Sequence, residues 1–515
     1  MKKIYPIQWL EHHPYATTDA TDRYYCDLVN KLLKIIWKYD VMAGRLIDDK
    51  DIESIYENTA IFTTAWFEDI ISQTGLWQVF TSECKKRYGS RLPFYELDDN
   101  YYPDEINLED VNFILWHCIQ YWNMGKTVYN PENHGLAKLA KEIYTLLDHE
   151  YETAPENERL QEFYNFSLLA ADDYLEYRNR IEWFFMNSYI NDGAREDYLI
   201  SQEELIQQLE NKNMDDKTAD IMLYAHKVNT ILFTRTPLLG ITAPEYIKLL
   251  QENKNVRLDS PYTNISSVKE AFYLIDSEAD EYFIFKTLTE QATTYKVSKK
   301  SLDSNLHTFV PGDTIVTSTL FKYGQYWHHN GVMMNYRISK NPGILEKVKE
   351  TEAELSAQNA KQVYNDFIKA TKGKHIVFFK DTKDMKQFFK KELHYEKISG
   401  INPTKGANDN IMLTATPEAG LCFITSLNDC VASPDNPFYN QETAEKKAIK
   451  LLVDQNCIPY EISCYLFDKG YLKDAGLNST FGPEHGRELV QKNARFILDY
   501  FFNRCREKDY IKLDW

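Results

Sequence analysis

Near residue 240 the chain changes its hydrophobic rhythm. Before that point apolar side chains recur with the 3.6-residue period of a helix. After a cluster containing Pro237, Gly240, Pro244 and Pro261 they alternate with the period of a strand. A helix-patterned segment makes a poor strand, and the reverse also holds, so the two stretches must fold differently. Proline and glycine interrupt regular structure, which makes this cluster the expected boundary. Charge changes at the same place. Residues 1–240 hold 41 Asp and Glu against 23 Lys and Arg, so the whole net charge of −18 lies there and the rest is neutral. Seven of the nine tryptophans (Trp9, Trp37, Trp66, Trp77, Trp116, Trp122 and Trp183) also precede it.

In the front region, Thr21 or Asp22 is expected to cap a helix running to Tyr39, with Leu28, Leu32, Ile35 and Ile36 inward. A second helix is expected after Asn107, with Glu109 and Asp110 suited to its positive end. Its stripe is Val111, Ile114, Leu115, Cys118, Ile119 and Trp122, which places His117 on the opposite, solvent-facing side. The turn at Ala154-Pro155-Glu156-Asn157 is expected to start one helix that carries Leu160, Phe163, Leu168, Tyr174 and Ile181.

Five short strands follow the boundary, around 271–275, 282–285, 294–297, 314–317 and 325–333. Beyond them the pattern predicts a helix from Pro342 to about Ala370, a strand at 375–380 and a helix at 383–393. A hairpin of 411–416 and 421–424 comes next, then helices opened by Pro459 and Pro483. The expected fold class is α+β and multidomain: an N-terminal helical bundle, a central small β-barrel or bent sheet, and a C-terminal α+β region ending in helices. The domains are expected at 1–240 (acidic, all-α), 241–345 (barrel-like) and 346–515 (α+β).

At 515 residues the chain exceeds what one core usually serves. The eight cysteines are scattered without a C-x-x-C pair, which suits reduced, mostly buried thiols. The basic start is interrupted by Gln8, Glu11 and His12, and no window is apolar for the length a membrane span needs. A soluble cytoplasmic protein without membrane association is expected. The acidic balance argues against the whole chain coating nucleic acid.

Motifs of chemistry are sparse. Gly125-Lys126-Thr127 lacks the earlier glycine of a phosphate loop, where Gln120 stands, and follows a helix rather than a strand. Asp148-His149-Glu150 has no matching ligand pair and reads as an exposed helix end, and His12-His13 reads as a loop pair. Neither a Gly-x-Ser-x-Gly elbow nor a cysteine in a glycine-rich turn occurs. No catalytic residue, cofactor site or metal site is therefore assigned. Tyr326, Trp327, His328 and His329 could line a groove, although adjacent strand residues face opposite ways and the two imidazoles would not share a metal. From Lys369 to Lys397 nine lysines, among them Lys374, Lys380, Lys383, Lys386 and Lys390, face four acids, with Phe378, Phe379, Phe388, Phe389 and Tyr395 interleaved. Such a patch can hold a phosphate backbone. It can equally be a solvated helix face whose phenylalanines are core, or a surface that docks on the acidic front region.

Both ends carry a resemblance. Near the tail stand Glu418-Ala419-Gly420-Leu421, Asn436-Pro437-Phe438-Tyr439, Tyr465-Leu466, Leu472 with Asp474-Ala475, and Gly486-Arg487-Glu488-Leu489 ahead of Gln491, Asn493 and Phe496. At the front stand Ile4-Tyr5, Trp9-Leu10, Pro14-Tyr15 and Thr21-Asp22-Arg23-Tyr24-Tyr25. In these the chain resembles a Bacteroidetes family classed as a domain of unknown function. The resemblance implies a bacterial, cytoplasmic protein and no catalytic residue. The first functional expectation is a non-enzymatic interaction or scaffold protein with a protein partner. The alternatives are a hydrolytic enzyme with scattered residues near Trp327 to His329, and a nucleic-acid-associated protein using residues 369–397.

Overall fold

The computed structural model describes residues 2–39, 49–121, 128–166, 169, 173–254, 266–288, 292–302, 309–348, 358–394 and 410–509. Gly125-Lys126-Thr127, Leu168, Tyr395 and Lys397 lie outside them. The chain gathers into two compact units. The first comprises Met1–Glu83, Leu97–Cys118 and Lys138–Glu352; the second comprises Cys84–Glu96, Ile119–Ala137 and Ala353–Trp515. The boundary expected at 240 falls inside the first unit, and the one at 345 lies close to its end.

After a single turn at Pro6–Trp9, the helices of the front region are α1 (Ala20–Tyr39), α2 (Asp49–Ile71), α3 (Leu76–Tyr88), α4 (Leu108–Tyr121), α5 (His134–Tyr151), α6 (Glu158–Phe163), α7 (Tyr174–Asn187), α8 (Asp192–Asn211), α9 (Asp216–Phe233) and α10 (Ala243–Asn253). The cap of α1 is Asp19, whose carboxylate accepts the N–H of Asp22 (3.1 Å), while Asp22 accepts the N–H of Asp19 (2.8 Å). This reciprocal pair satisfies two amides that a helix start leaves open. The single helix expected after Asn157 is two, α6 and α7. Arg180 takes the carbonyls of Glu162 and Phe163 where α6 stops, and Asp173 caps α7 by accepting from Glu176 N–H.

His117 is also a correction: it is buried, not in solvent. Helix α4 is buried on nearly every side from Phe113 to Gln120, because Phe113 and Trp116 supply apolar surface beyond the single stripe. Burial holds the imidazole down to about 3, so it stays neutral, near the Phe62 ring.

Five strands follow: β1 (Ser266–Glu278), β2 (Tyr282–Thr287), β3 (Thr294–Ser298), β4 (Thr314–Tyr323) and β5 (Tyr326–Arg337). They curl in the order β1-β2-β3-β5-β4. Between β3 and β5 the closure rests on one parallel pair, Val297 and Trp327, so this is a strongly bent sheet sealed at one point rather than a barrel with a full ladder. Alternation along β1 sends Tyr273 and Ile275 inward to Phe283, Phe285 and Leu320, while Phe272 and Leu274 pack outside with Ile344 and Val348. Strand β4 is buried along almost its whole length, as a sheet covered on both faces requires.

The second unit contains α11 (Gln358–Ala370), β6 (Ile376–Phe379), α12 (Thr382–Lys391), β7 (Ile411–Thr416) and β8 (Gly420–Thr425), whose strands form an antiparallel sheet in the order β6-β7-β8. Its core joins Phe367, Met385 and Phe389 to Ile411, Leu413 and Ala415. Helices α13 (Gln441–Lys447), α14 (Tyr460–Asp468) and α15 (Pro483–Phe502) complete it. The architecture is thus α+β, with a helical front and two sheets.

Candidate functional site

The first unit buries an extended polar network. Glu68 Oε2 lies 2.8 Å from His13 Nε2 and its Oε1 accepts from Asn157 Nδ2 at 2.8 Å. Asn157 in turn donates to the Tyr15 hydroxyl, which donates to Asp22, and Arg159 pairs with Asp22 while stacking 3.5 Å over the Tyr15 ring. Asp69 accepts the N–H groups of Gly75, Leu76 and Trp77, so it neutralises the start of α3, and also takes the Tyr189 hydroxyl. Asp110, fully buried, is pushed up to about 7 by burial, against the pull of Trp77, Asn107 and Tyr101 as donors. These groups are turned toward one another inside the fold, and none of them lines a cavity described below. They tie the N-terminal loop, α2, α3 and α6 together; their work is architectural.

The expected groove residues divide as strand geometry demands. His328 is buried, stacked 4.2 Å from Tyr174, and burial lowers its imidazole to about 4. His329 faces the other way, its Nδ1 2.8 Å from Ser318 Oγ. Trp327 packs against the sheet interior edge-on to Tyr295, and the Tyr326 hydroxyl donates to Glu281. The two histidines do not converge. A nearby cavity lined by Tyr174, Arg178, Val228, Phe321 and Asn330 measures about 20 Å³, room for little more than a water.

The lysines belong to the second unit. Lys374 pairs with Asp435 at 2.9 Å, and Lys380, Lys383, Lys386 and Lys390 are exposed. On α12 the lysines occupy one side and Met385 and Phe389 the buried other, with Phe379 and Phe388 packed beside them. Phe379, Phe388 and Phe389 pack into that core. Thiol chemistry is also discouraged: Cys457, the exposed cysteine, is pushed up to about 11 by burial and by Asp454, so its thiolate is scarce at neutral pH.

The surface that stands out was hidden in plain helical periodicity. Helices α8 and α9 form an antiparallel hairpin. Its base is fixed: Val228, Ile231 and Leu232 are buried, Asn229 accepts from Thr319, and Gly331 of β5 comes so close that an added Cβ would meet Val228 at 3.2 Å. Ser201 and His226 face each other at 3.0 Å across the two helices. Beyond the base the hairpin runs out of core. From Leu199 to Lys227 one residue, Leu209, is buried. Leu199, Ile200, Ile221, Met222 and Tyr224 are exposed on it. Ile221, Tyr224, Val228 and Ile231 belong to one helical stripe, so the stripe that anchors the base continues uncovered toward the tip. The same stretch carries Glu203, Glu204, Glu210, Asp215, Asp216 and Asp220 against Lys212, Lys217 and Lys227, and Lys227 is tied to Glu182.

Fold and surface together define a two-unit α+β protein with an acidic, apolar-striped helical hairpin. The family model described as "Protein of unknown function (DUF3843)" matches residues 3–309 and 334–503, and the chain belongs to that family. No curated protein and no solved structure matches it.

Proposed function

We propose that this protein is a non-enzymatic interaction protein whose α8–α9 hairpin docks a basic, amphipathic helical segment of a partner protein. The observation that carries this reading is the uncovered apolar stripe flanked by carboxylates on a hairpin whose base is anchored. Most helical stability in proteins comes from packing an amphipathic face, so a face that leaves its apolar residues outside gains from a third helix laid along it. Fully burying a side chain of this kind contributes about 1.5–3 kcal/mol, and association costs at least about 4 kcal/mol, so four or five contacts give roughly micromolar binding. The carboxylates select a partner with lysines or arginines beside its own stripe.

Fluorescence anisotropy with a labelled Leu/Lys peptide of helical period tests this, with a Leu/Glu peptide of the same pattern as control. The basic peptide should bind the full chain at roughly micromolar concentration, and Ile221→Asp combined with Tyr224→Ser should weaken it about tenfold or more. Equal binding of both peptides, binding only to anionic lipid vesicles, or a hairpin covered by a second copy of the chain would each contradict the reading.

A further inference from the structure

Beside β8 the second unit holds a cavity of about 520 Å³, well inside the range of about 300–1,000 Å³ typical of ligand sites. Strand β8 ends its sheet, paired with β7 alone among the described residues. Leu421, Cys422 and Phe423 of that strand all line the cavity. Successive strand residues face opposite ways, so three in a row place the cavity along the open edge of β8 rather than on one face. Ile458 and Phe502, both buried, extend the apolar wall made by Leu421 and Phe423. Charges of both signs stand in the same lining. Arg504 is half-buried, and Glu418 is exposed on the turn between β7 and β8. Among the described residues neither side chain is in an ion pair, so the two do not answer each other. Glu461 adds a second carboxylate, 6 % exposed, and with burial its charge raises the Cys422 thiol.

We infer that this cavity binds a small zwitterion with an apolar body, an apolar amino acid or a dipeptide of such residues. A carboxylate set against Arg504 meets the paired donors of a planar guanidinium. An ammonium group on the same ligand meets the carboxylate of Glu418 at the rim. A ligand of one sign answers one of these charges and leaves the other. A pure anion is the poorer match, because two carboxylates stand against one guanidinium in the lining. Leu421, Phe423, Ile458 and Phe502 receive the apolar body, which gains by leaving water. The unpaired edge of β8 offers backbone N–H and C=O groups to a peptide bond laid beside it. This site lies wholly in the second unit and does not rest on the hairpin reading.

Calorimetric titration of the full chain with leucine and leucyl-leucine tests the inference, with isopentylamine and 4-methylpentanoate as analogues that each keep one charge. Saturable binding of at least one zwitterion is expected, about tenfold or more tighter than either analogue. Arg504→Ala should weaken the zwitterion about tenfold or more but leave isopentylamine unchanged, since the amine has no carboxylate to lose. Arg504→Lys should lose less, and Lys369→Ala, outside the cavity, nothing. Preference for leucyl-leucine assigns a dipeptide, and preference for leucine a free amino acid. A second readout uses Cys457, an exposed thiol in the lining. Its alkylation by iodoacetamide at pH 9, followed by mass spectrometry, should slow about threefold or more with saturating zwitterion. Absence of saturable binding by both zwitterions, equal affinity for 4-methylpentanoate, equal losses in Arg504→Ala and Lys369→Ala, or an unchanged Cys457 rate would overturn it.

Discussion

His13 and Glu68 show how this protein uses charge at the level of single residues. Both side chains are about 1 % exposed and 2.8 Å apart. Burial lowers the His13 imidazole, but the Glu68 charge and hydrogen bond outweigh it, and the net direction is upward from 6.5. A folded-state value above the unfolded one means the pair's stabilisation is full below about pH 6.5 and fades as pH rises through the folded value. His13→Gln should cost about 3 kcal/mol or more near pH 6, because it leaves a buried carboxylate without its cation. In urea unfolding from pH 6 to 9, the gap between His13→Gln and the parent should narrow with rising pH; a constant gap would contradict the assignment.

The residues that carry the family resemblance also resolve into packing. Gly486 sits where an added Cβ would collide with the Leu477 carbonyl oxygen, so Gly486→Ala must push α15 from the 472–477 loop. Its thermal midpoint should drop by several degrees, whereas Gly470→Ala, with open space around it but a positive φ of 71°, should cost about 1 kcal/mol. Asn436 is buried and donates to the carbonyls of Asn428 and Val431, while the helix that follows is capped by Asn440. An Asn-Pro pair signals a turn, and here the Asn436 amide locks the loop ahead of that helix.

Among the elements, periodicity located most of the strands and helices, since alternation and the 3.6-residue stripe are local properties of the chain. The sheet of β1 to β5 and the hairpin of β7 and β8 follow directly from such runs. What the pattern cannot carry is where a stripe stops being covered. Ile221 and Tyr224 read like core because Val228 and Ile231 continue them, and nothing local marks the end of the sheet they pack on. The same blindness hid His117, whose helix is buried from several sides by distant residues. The hairpin's exposure makes a prediction of its own: Ile221→Asp with Tyr224→Ser should change unfolding free energy by less than about 0.5 kcal/mol, as surface substitutions do, whereas Val228→Ala should cost about 1 kcal/mol or more. Equal losses at tip and base, measured by urea unfolding, would mean the tip is covered within the chain.

Across the whole molecule, the charge step seen in the sequence gains a physical meaning. The negative surplus includes the hairpin's flanks, and three arginines and two carboxylates line a cavity built from residues some 400 positions apart. Such an assembly has no local sequence signal. Among the described residues no helix is long and apolar enough to cross a membrane. The central claim is that the hairpin is the docking face. Hydrogen–deuterium exchange of the full chain, with and without the basic amphipathic peptide, tests it most directly. The account predicts rapid exchange in free residues 199–227 and marked protection there once the peptide binds. Protection that spares this stretch and falls elsewhere, for instance across residues 369–394, would contradict it.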